Sequence, residues 1–184
     1  MKRQGYLFEK VCSFEALITA ALEAAKGKKN KSKVAHFLRN IENEVIELEQ
    51  ELLSRSYQPR PYHTFMIHDP KERMICAADF RDRVVHHAVC RVLDPIFEKS
   101  FIFDTYACRK NKGTHRAIKR AQGFCRRHHY FLKLDIQKFF DSVDHDVLKT
   151  MLRNKIKDAD LRRLLDTFID HPVPWTQPGK GIPI

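Results

Sequence analysis

Three features missing from this sequence limit what the protein can be. No apolar run approaches the roughly 20 residues of a bilayer-spanning helix, and no apolar segment directly follows the first five residues, so secretion is not expected. The five cysteines are scattered and form no CxxC pair, which argues against a disulfide framework and favours a reducing cytoplasm. Neither His86-His87 nor Cys125-x-x-His128-His129 completes a four-ligand zinc pattern.

Acidic residues are also scarce relative to basic ones. Lys and Arg number 34 against 23 Asp and Glu, which gives a net charge of +11 and favours a polyanionic partner, chiefly nucleic acid. Residues 105–134 contain nine basic residues and no acid. This segment predicts either a phosphate-binding helix that starts near Gly113, with Thr114 as its N-cap, or a solvated basic helix. The lysine-rich turn, defined as residues 26–33, allows the same two interpretations.

Apolar spacing along the 184 residues predicts one domain, or one domain plus part of another, of the α+β class. Apolar residues three or four apart predict helices over 11–26, 34–53 and 83–94, and two more near 145–154 and 158–170. Pro95 is expected at or just beyond the end of the third helix. Strands at 62–67 and 73–77, joined by turn residues 68–72, predict a β-hairpin.

The segment 130–136 contains an acid inside a run of large apolar residues. Phe131, Leu132, Leu134 and Ile136 favour a buried strand, and Asp135 lies within it. Burial of an unpaired carboxylate is costly, so we expect a cation beside Asp135. One alternative is a strand residue that forms an ion pair with Lys133 or Lys138. In a basic protein, this pattern indicates metal-assisted chemistry on a phosphate.

Four segments in order resemble the reverse transcriptases of group II introns, retrons and diversity-generating retroelements. They are residues 73–88, 106–117, 132–142 and 178–184, and the resemblance runs from about residue 6 to the last residue. It implies helix-rich fingers with a β-hairpin at 1–128 and the first part of a polymerase palm at 129–184. The ending Gly-Ile-Pro-Ile is most similar to the diversity-generating retroelement subgroup.

The resemblance assigns roles to individual residues. Asp135 would be the catalytic and metal-binding carboxylate, with the Ile136 carbonyl as a second oxygen ligand for two Mg²⁺ ions. Phe140 would be the steric gate that excludes ribonucleotides, unless it is a core residue. Arg73 and Lys71 would hold the nucleotide triphosphate. Five further basic residues would contact template or primer: Arg81, Arg83, Arg109, Lys112 and Arg116. Arg81 and Arg83 could instead support the structure of the fingers.

The chain departs from this family because it contains no Asp-Asp pair, which the palm needs as its second acidic element. We therefore expect the fingers and partial palm of a longer RNA-directed DNA polymerase, inactive by itself. Its expected partners are template RNA, a primer and dNTPs, and the retroelement subgroup implies a basic accessory protein. The alternatives are a non-catalytic nucleic-acid-binding module, an RNA-templated RNA polymerase, and an inactive polymerase homologue in a structural or defence complex.

Overall fold

The computed structural model describes residues 3–68 and 72–183, and these form two compact units. The first unit comprises the chain up to Leu93 together with the segment from Lys138 onward, and the second is Asp94–Gln137. The elements confirm the helix-rich α+β class with one hairpin. In chain order they are α1 (Phe8–Cys12), α2 (Phe14–Ala24), α3 (Ser32–Arg39), α4 (Ile41–Leu53), β1 (His63–Ile67), β2 (Arg73–Ala77), α5 (Phe80–Glu98), α6 (Thr114–Cys125), α7 (Phe139–Ser142), α8 (His145–Arg153) and α9 (Ala159–Ile169).

The first two predicted helices are each divided in two. Ser13 interrupts the first with an extended backbone (φ −59°, ψ 144°), and its side chain accepts a hydrogen bond from Ala16 N that caps α2. Asn40 separates α3 from α4 at φ −114°, ψ 27°, because Asn forms helix weakly and accepts non-helical backbone. The predicted apolar face is nevertheless buried in α4, at Val45, Leu48 and Leu52.

The hairpin is confirmed as an antiparallel pair. Its register places His63 opposite Ala77 and Ile67 opposite Arg73. Residues 69–71, which belong to the predicted turn, lie outside the described residues. Cys76 is buried while every residue of β1 is exposed, so the hairpin contacts the core through β2.

The predicted limits of two helices are wrong. Pro95 lies inside α5 instead of ending it. Because proline has no N–H, the carbonyl of Arg91 loses its helical donor. Both residues are exposed, so water can reach this carbonyl. At α6, the N-cap is Gly113 at φ 99°, and Thr114 is already helical. Glycine adopts this left-handed φ without a Cβ penalty, so the cap falls one residue earlier than predicted.

Helices α8 and α9 are confirmed, and each begins at a capping aspartate. The Asp144 side chain accepts from Val147 N at 3.0 Å, and the Asp158 side chain accepts from Leu161 N at 3.1 Å. The N-terminal segment joins the connection between these helices, where Gln4 pairs in parallel with Ile156. The N-terminal segment and the connection between α8 and α9 are therefore held together by backbone pairing.

The predicted buried strand at 130–136 is wrong. These residues have no strand pairing, and Tyr130, Phe131, Leu132 and Leu134 are each at least 80% exposed. A strand needs a neighbour to pair its N–H and C=O groups. Among the described residues the only sheet is the β1–β2 hairpin, so this segment has no such neighbour. Every described helix is too short or too polar to cross a bilayer.

Candidate functional site

Asp135 lies on the second unit, in the extended segment between α6 and α7. Its side chain is exposed, and Oδ1 accepts a hydrogen bond from the Ile136 backbone N at 3.1 Å. Within its own unit, and among the described residues, Asp135 forms no ion pair. The expected alternative of pairing with Lys133 is thus not observed, and the carboxylate oxygens are accessible to a ligand from solution.

The donor atoms at this position suit a hard cation but are too few to hold one. The Asp135 carboxylate and the Ile136 carbonyl are oxygen ligands of the kind Mg²⁺ prefers. Within the described ranges, however, no three His, Cys, Asp or Glu side chains are grouped to hold a metal. The residues fit part of a magnesium site, and the two-ion assignment stays a prediction.

Phe140 lies on the first unit in α7, a single helical turn. Lys138 precedes the turn with a left-handed φ of 49°, and the Phe140 ring lies edge-on to Phe139 with centroids 5.6 Å apart. The residue is 43% exposed. This exposure favours a surface role for the ring over a core role. Asp141, in the same turn, is half-buried.

The chain near the C-terminus pairs with the α7 turn through its backbone. Gly181 N donates to Val143 O at 2.8 Å, and Ile182 N donates to Phe140 O at 2.9 Å. Asp144 and Lys180 form an antiparallel bridge beside them. The turn that carries Phe140 is therefore anchored by residues some 40 positions further along the chain.

His145 adds a further contact between the α7 region and the chain near the C-terminus, and the sequence did not indicate this role. The residue is 7% exposed. Its backbone N donates to Gly179 O at 3.0 Å, and its ring Nε2 lies 2.7 Å from Gly181 O. Since a carbonyl can only accept, Nε2–H is the donor. No local pattern predicts a bond across 36 residues.

The two expected triphosphate ligands belong to the hairpin. Arg73 is the first residue of β2, is exposed, and lies opposite Ile67. Lys71 lies outside the described residues. The roles of both residues stay predictions.

Arg81 supports the fingers structure. It is 5% exposed, its guanidinium lies 2.6 Å from Glu51, and it sits 6.0 Å from the Tyr57 ring centre. Arg83 lies 5.5 Å from the Phe80 ring centre, and its buried Nε has no hydrogen-bond partner among the described residues. Of the two roles expected for Arg81, these contacts favour the structural one.

The start of α5 is held by a buried carboxylate. Asp82 is 1% exposed and accepts hydrogen bonds from Tyr57 Oη at 2.7 Å and Arg60 N at 2.9 Å. Burial and the bond to Asp82 raise the pKa of Tyr57, so its hydroxyl remains a donor. Burial lowers the pKa of His86, one turn further along. This network joins the connection between α4 and β1 to the start of α5, and we assign it no chemistry.

Arg109 organises the loop before α6. Its guanidinium donates to Glu98 at 3.0–3.1 Å from Nε and to the carbonyls of Ile102 and Thr105 at 2.9 and 3.1 Å. The hydrogen bond from Arg109 lowers the pKa of Glu98. The side chain is 11% exposed. Most of its donors are therefore occupied within the protein.

Lys112 and Arg116 lie beside a basic groove on the second unit, of about 690 Å³. Lys112 Nζ donates to Phe103 O at 2.6 Å and lies 3.7 Å from the Phe103 ring centre, while Arg116 donates to Asn111 O at 2.5 Å and is exposed. The other residues that line the groove are mostly basic or aromatic: Tyr106, Lys110, Asn111, Lys119, Arg120, Gly123 and Arg127. The phosphate-binding role of α6 stays a prediction.

No family model matches this chain. It is nevertheless similar in sequence to several known proteins. It is 32% identical over 129 residues to Protein YkfC of Escherichia coli, an alignment that covers 66% of this chain and 34% of that protein. It is 29% identical over 134 residues to the group II intron-encoded protein LtrA of Lactococcus lactis, covering 70% of this chain and 22% of LtrA.

A solved structure shares the fold. The "Partial Cas6-RT-Cas1--Cas2 complex" contains a chain that matches 96% of this one, with a TM-score of 0.59 and 20% identity, and 31% of that chain is covered. The likenesses confirm the predicted resemblance to reverse transcriptases of group II introns and related elements. This chain spans about a fifth to a third of the length of these proteins.

Proposed function

We propose that this chain is the fingers and first part of the palm of an RNA-directed DNA polymerase that, at full length, copies an RNA template into cDNA. The observation that carries the proposal is its homology over 134 residues to a group II intron-encoded protein. The chain covers only 22% of that relative. The activity therefore belongs to the longer protein, and the chain alone is inactive.

In this proposal the residues around Asp135 and Phe140 act on the nucleotide. The Asp135 carboxylate and the Ile136 carbonyl would supply two of the ligands for Mg²⁺, and further ligands would come from the longer protein and the substrate. The metal would supply activation of the primer 3′-hydroxyl and stabilisation of the leaving pyrophosphate. The Phe140 ring lies under the sugar and clashes with a 2′-hydroxyl. Arg73, exposed at the start of β2, pairs with the triphosphate.

The basic groove beside α6 takes the nucleic-acid backbone. Exposed lysines and arginines neutralise phosphates without reading sequence, so binding weakens as salt rises. Aromatic side chains in the groove, Phe103 and Tyr106, give unpaired bases a surface for stacking. Template RNA and a primer are the partners this chemistry suits. A basic accessory protein joins them if the chain serves a diversity-generating retroelement.

Primer extension by the full-length protein tests the proposal. With an RNA template, a primer, dNTPs and Mg²⁺, we expect Asp135→Asn to lower the rate at least about 100-fold, because a metal ligand is lost. Asp146→Asn is the matched control, since Asp146 is an exposed acid on α8. Equal activity of the two variants would refute the role of Asp135.

The rival proposal is a non-catalytic nucleic-acid-binding homologue. It is favoured by the absence, among the described residues, of a group of three acidic or other metal-ligating side chains. A binder would hold template and primer but incorporate no nucleotide, and Asp135→Asn would leave its affinity unchanged. Extension by the wild-type full-length protein would exclude this rival.

A further inference from the structure

We propose that His145 is a positioning residue that holds the Phe140 turn and so sets the discrimination between deoxynucleotides and ribonucleotides. The proposal rests on the proposed function, because it assumes that Phe140 faces the sugar. Two hydrogen bonds and one peptide bond connect His145 to Phe140 across two segments of the first unit. The contacts run from the His145 ring to Gly181, from Gly181 to its neighbour Ile182, and from Ile182 to Phe140.

The His145 ring is held on both of its nitrogen sides. Nε2–H donates to Gly181 O at 2.7 Å. On the other side, Nδ1 lies 3.6 Å from an Asp170 carboxylate oxygen, and Lys149 Nζ contacts that same carboxylate at 2.6 Å. A ring that is 7% exposed and bounded in this way has little freedom to turn, so its donor points at one carbonyl.

The position that accepts the hydrogen bond from His145 requires glycine. Its φ is 85°, and a Cβ at this position would lie 2.4 Å from Thr176 Cγ2. The backbone of Gly181 is therefore pressed against the Thr176 side chain. Removal of the His145 donor would leave the Gly181 carbonyl without its buried partner, and the peptide between Gly181 and Ile182 would lose the bond that fixes its orientation.

The α7 turn depends on this backbone for its position. A helix of four residues cannot form by itself, because nucleation costs more than one turn of hydrogen bonds returns. The bonds that hold it from outside are Gly181 N to Val143 O and Ile182 N to Phe140 O. Rotation at Gly181 disturbs both donors. We infer that the placement of the Phe140 ring depends on the hydrogen bond donated by His145.

Amide hydrogen exchange on the 184-residue chain tests the link without any enzymatic activity. We expect His145→Leu to speed exchange of the Gly181 and Ile182 amides about ten-fold, as expected for the loss of one buried hydrogen bond. His145→Gln keeps a side-chain N–H donor and should restore near-wild-type exchange. His87→Leu, at an exposed histidine of α5, is the control. Unchanged exchange in His145→Leu would overturn the inference.

Nucleotide selection by the full-length protein tests the consequence. We expect His145→Leu to lower the ratio of kcat/KM for dNTP over rNTP about ten-fold or more, mainly by improving ribonucleotide use, and His145→Gln to restore the ratio. Adding His145→Leu to Phe140→Val should cause little further loss, because both changes act on one ring. A wild-type ratio in His145→Leu overturns the inference. Lack of incorporation by the wild-type protein overturns the proposed function, and amide exchange then decides the link alone.

Discussion

Replacement of Asp158 by alanine would remove one carboxylate that serves two segments. Oδ2 accepts from Leu7 N at 2.7 Å and Phe8 N at 3.0 Å, and Oδ1 accepts from Leu161 N at 3.1 Å. Loss of the N-cap bond of α9 costs about 1 kcal/mol. Each of the two part-buried donors at the start of α1 adds about 1 kcal/mol when its charged acceptor is gone. We therefore expect Asp158→Ala to lower the free energy of unfolding by about 3 kcal/mol.

Urea unfolding followed by circular dichroism measures this change. Asp146→Ala is the control, because Asp146 is exposed in the first turn of α8, and we expect it to cost about 0.5 kcal/mol. If Asp158→Ala costs less than about 1 kcal/mol, the argument that one carboxylate holds both helix starts is wrong.

The same carboxylate predicts a pH dependence. Burial raises the pKa of Asp158, but the backbone N–H groups of Phe8, Leu161 and Leu7 outweigh burial and hold that pKa below its ordinary value. A lowered folded-state pKa contributes stability above the unfolded pKa of about 3.9, and this contribution is lost as pH falls through the folded value. The stability difference between wild type and Asp158→Asn should therefore be constant near neutral pH and shrink below about pH 4. A difference that grows on acidification would contradict this sign.

Three further predictions concern the core, the lysine-rich turn and the thiols. Leu48→Ala, at a fully buried position of α4, should lower the free energy of unfolding by about 2–5 kcal/mol in urea; a cost below 1 kcal/mol would contradict close packing there. Lys28→Glu with Lys31→Glu should weaken binding of a single-stranded oligonucleotide and reduce its salt slope by about one per lysine, measured by fluorescence anisotropy; an unchanged slope would favour a solvated turn. Burial raises the pKa of Cys12 to about 12, so a disulfide reagent at pH 8 should modify exposed Cys125 well before Cys12, and equal rates would refute this.

Local patterns predicted most of the secondary structure because the patterns act over a few residues. Two extended segments separated by turn residues placed the hairpin within one residue of its observed strands. The periodic helices were found, but the breaks at Ser13 and Asn40 were missed, because an apolar face can continue through a single non-helical residue. Pro95 was misplaced because the carbonyl that it leaves without a donor belongs to exposed Arg91, where water can bond to it.

The Asp135 segment shows where pattern reasoning fails. Large apolar residues around an acid indicated a buried strand, but a strand exists only when another backbone pairs with it. In the part of the chain that the structure describes, residues 130–136 have no such partner, and their apolar side chains are exposed. The residue types still support the resemblance to a palm carboxylate. Their burial depends on segments that the local sequence does not reveal.

By itself, the sequence determined the helix-rich α+β class, the hairpin and the basic character, because residue type and short spacing decide these properties. The place of Asp135 and Phe140 in one motif came from the resemblance to reverse transcriptases. Only the tertiary structure decided which basic side chains are paired with groups of the protein itself and which remain accessible to a ligand. Arg81 and Arg109 look like phosphate ligands in sequence, yet carboxylates and carbonyls occupy them in the fold. The bond between His145 and Gly181 also required the fold, because hydrogen bonding depends on distance in space and these residues are 36 positions apart.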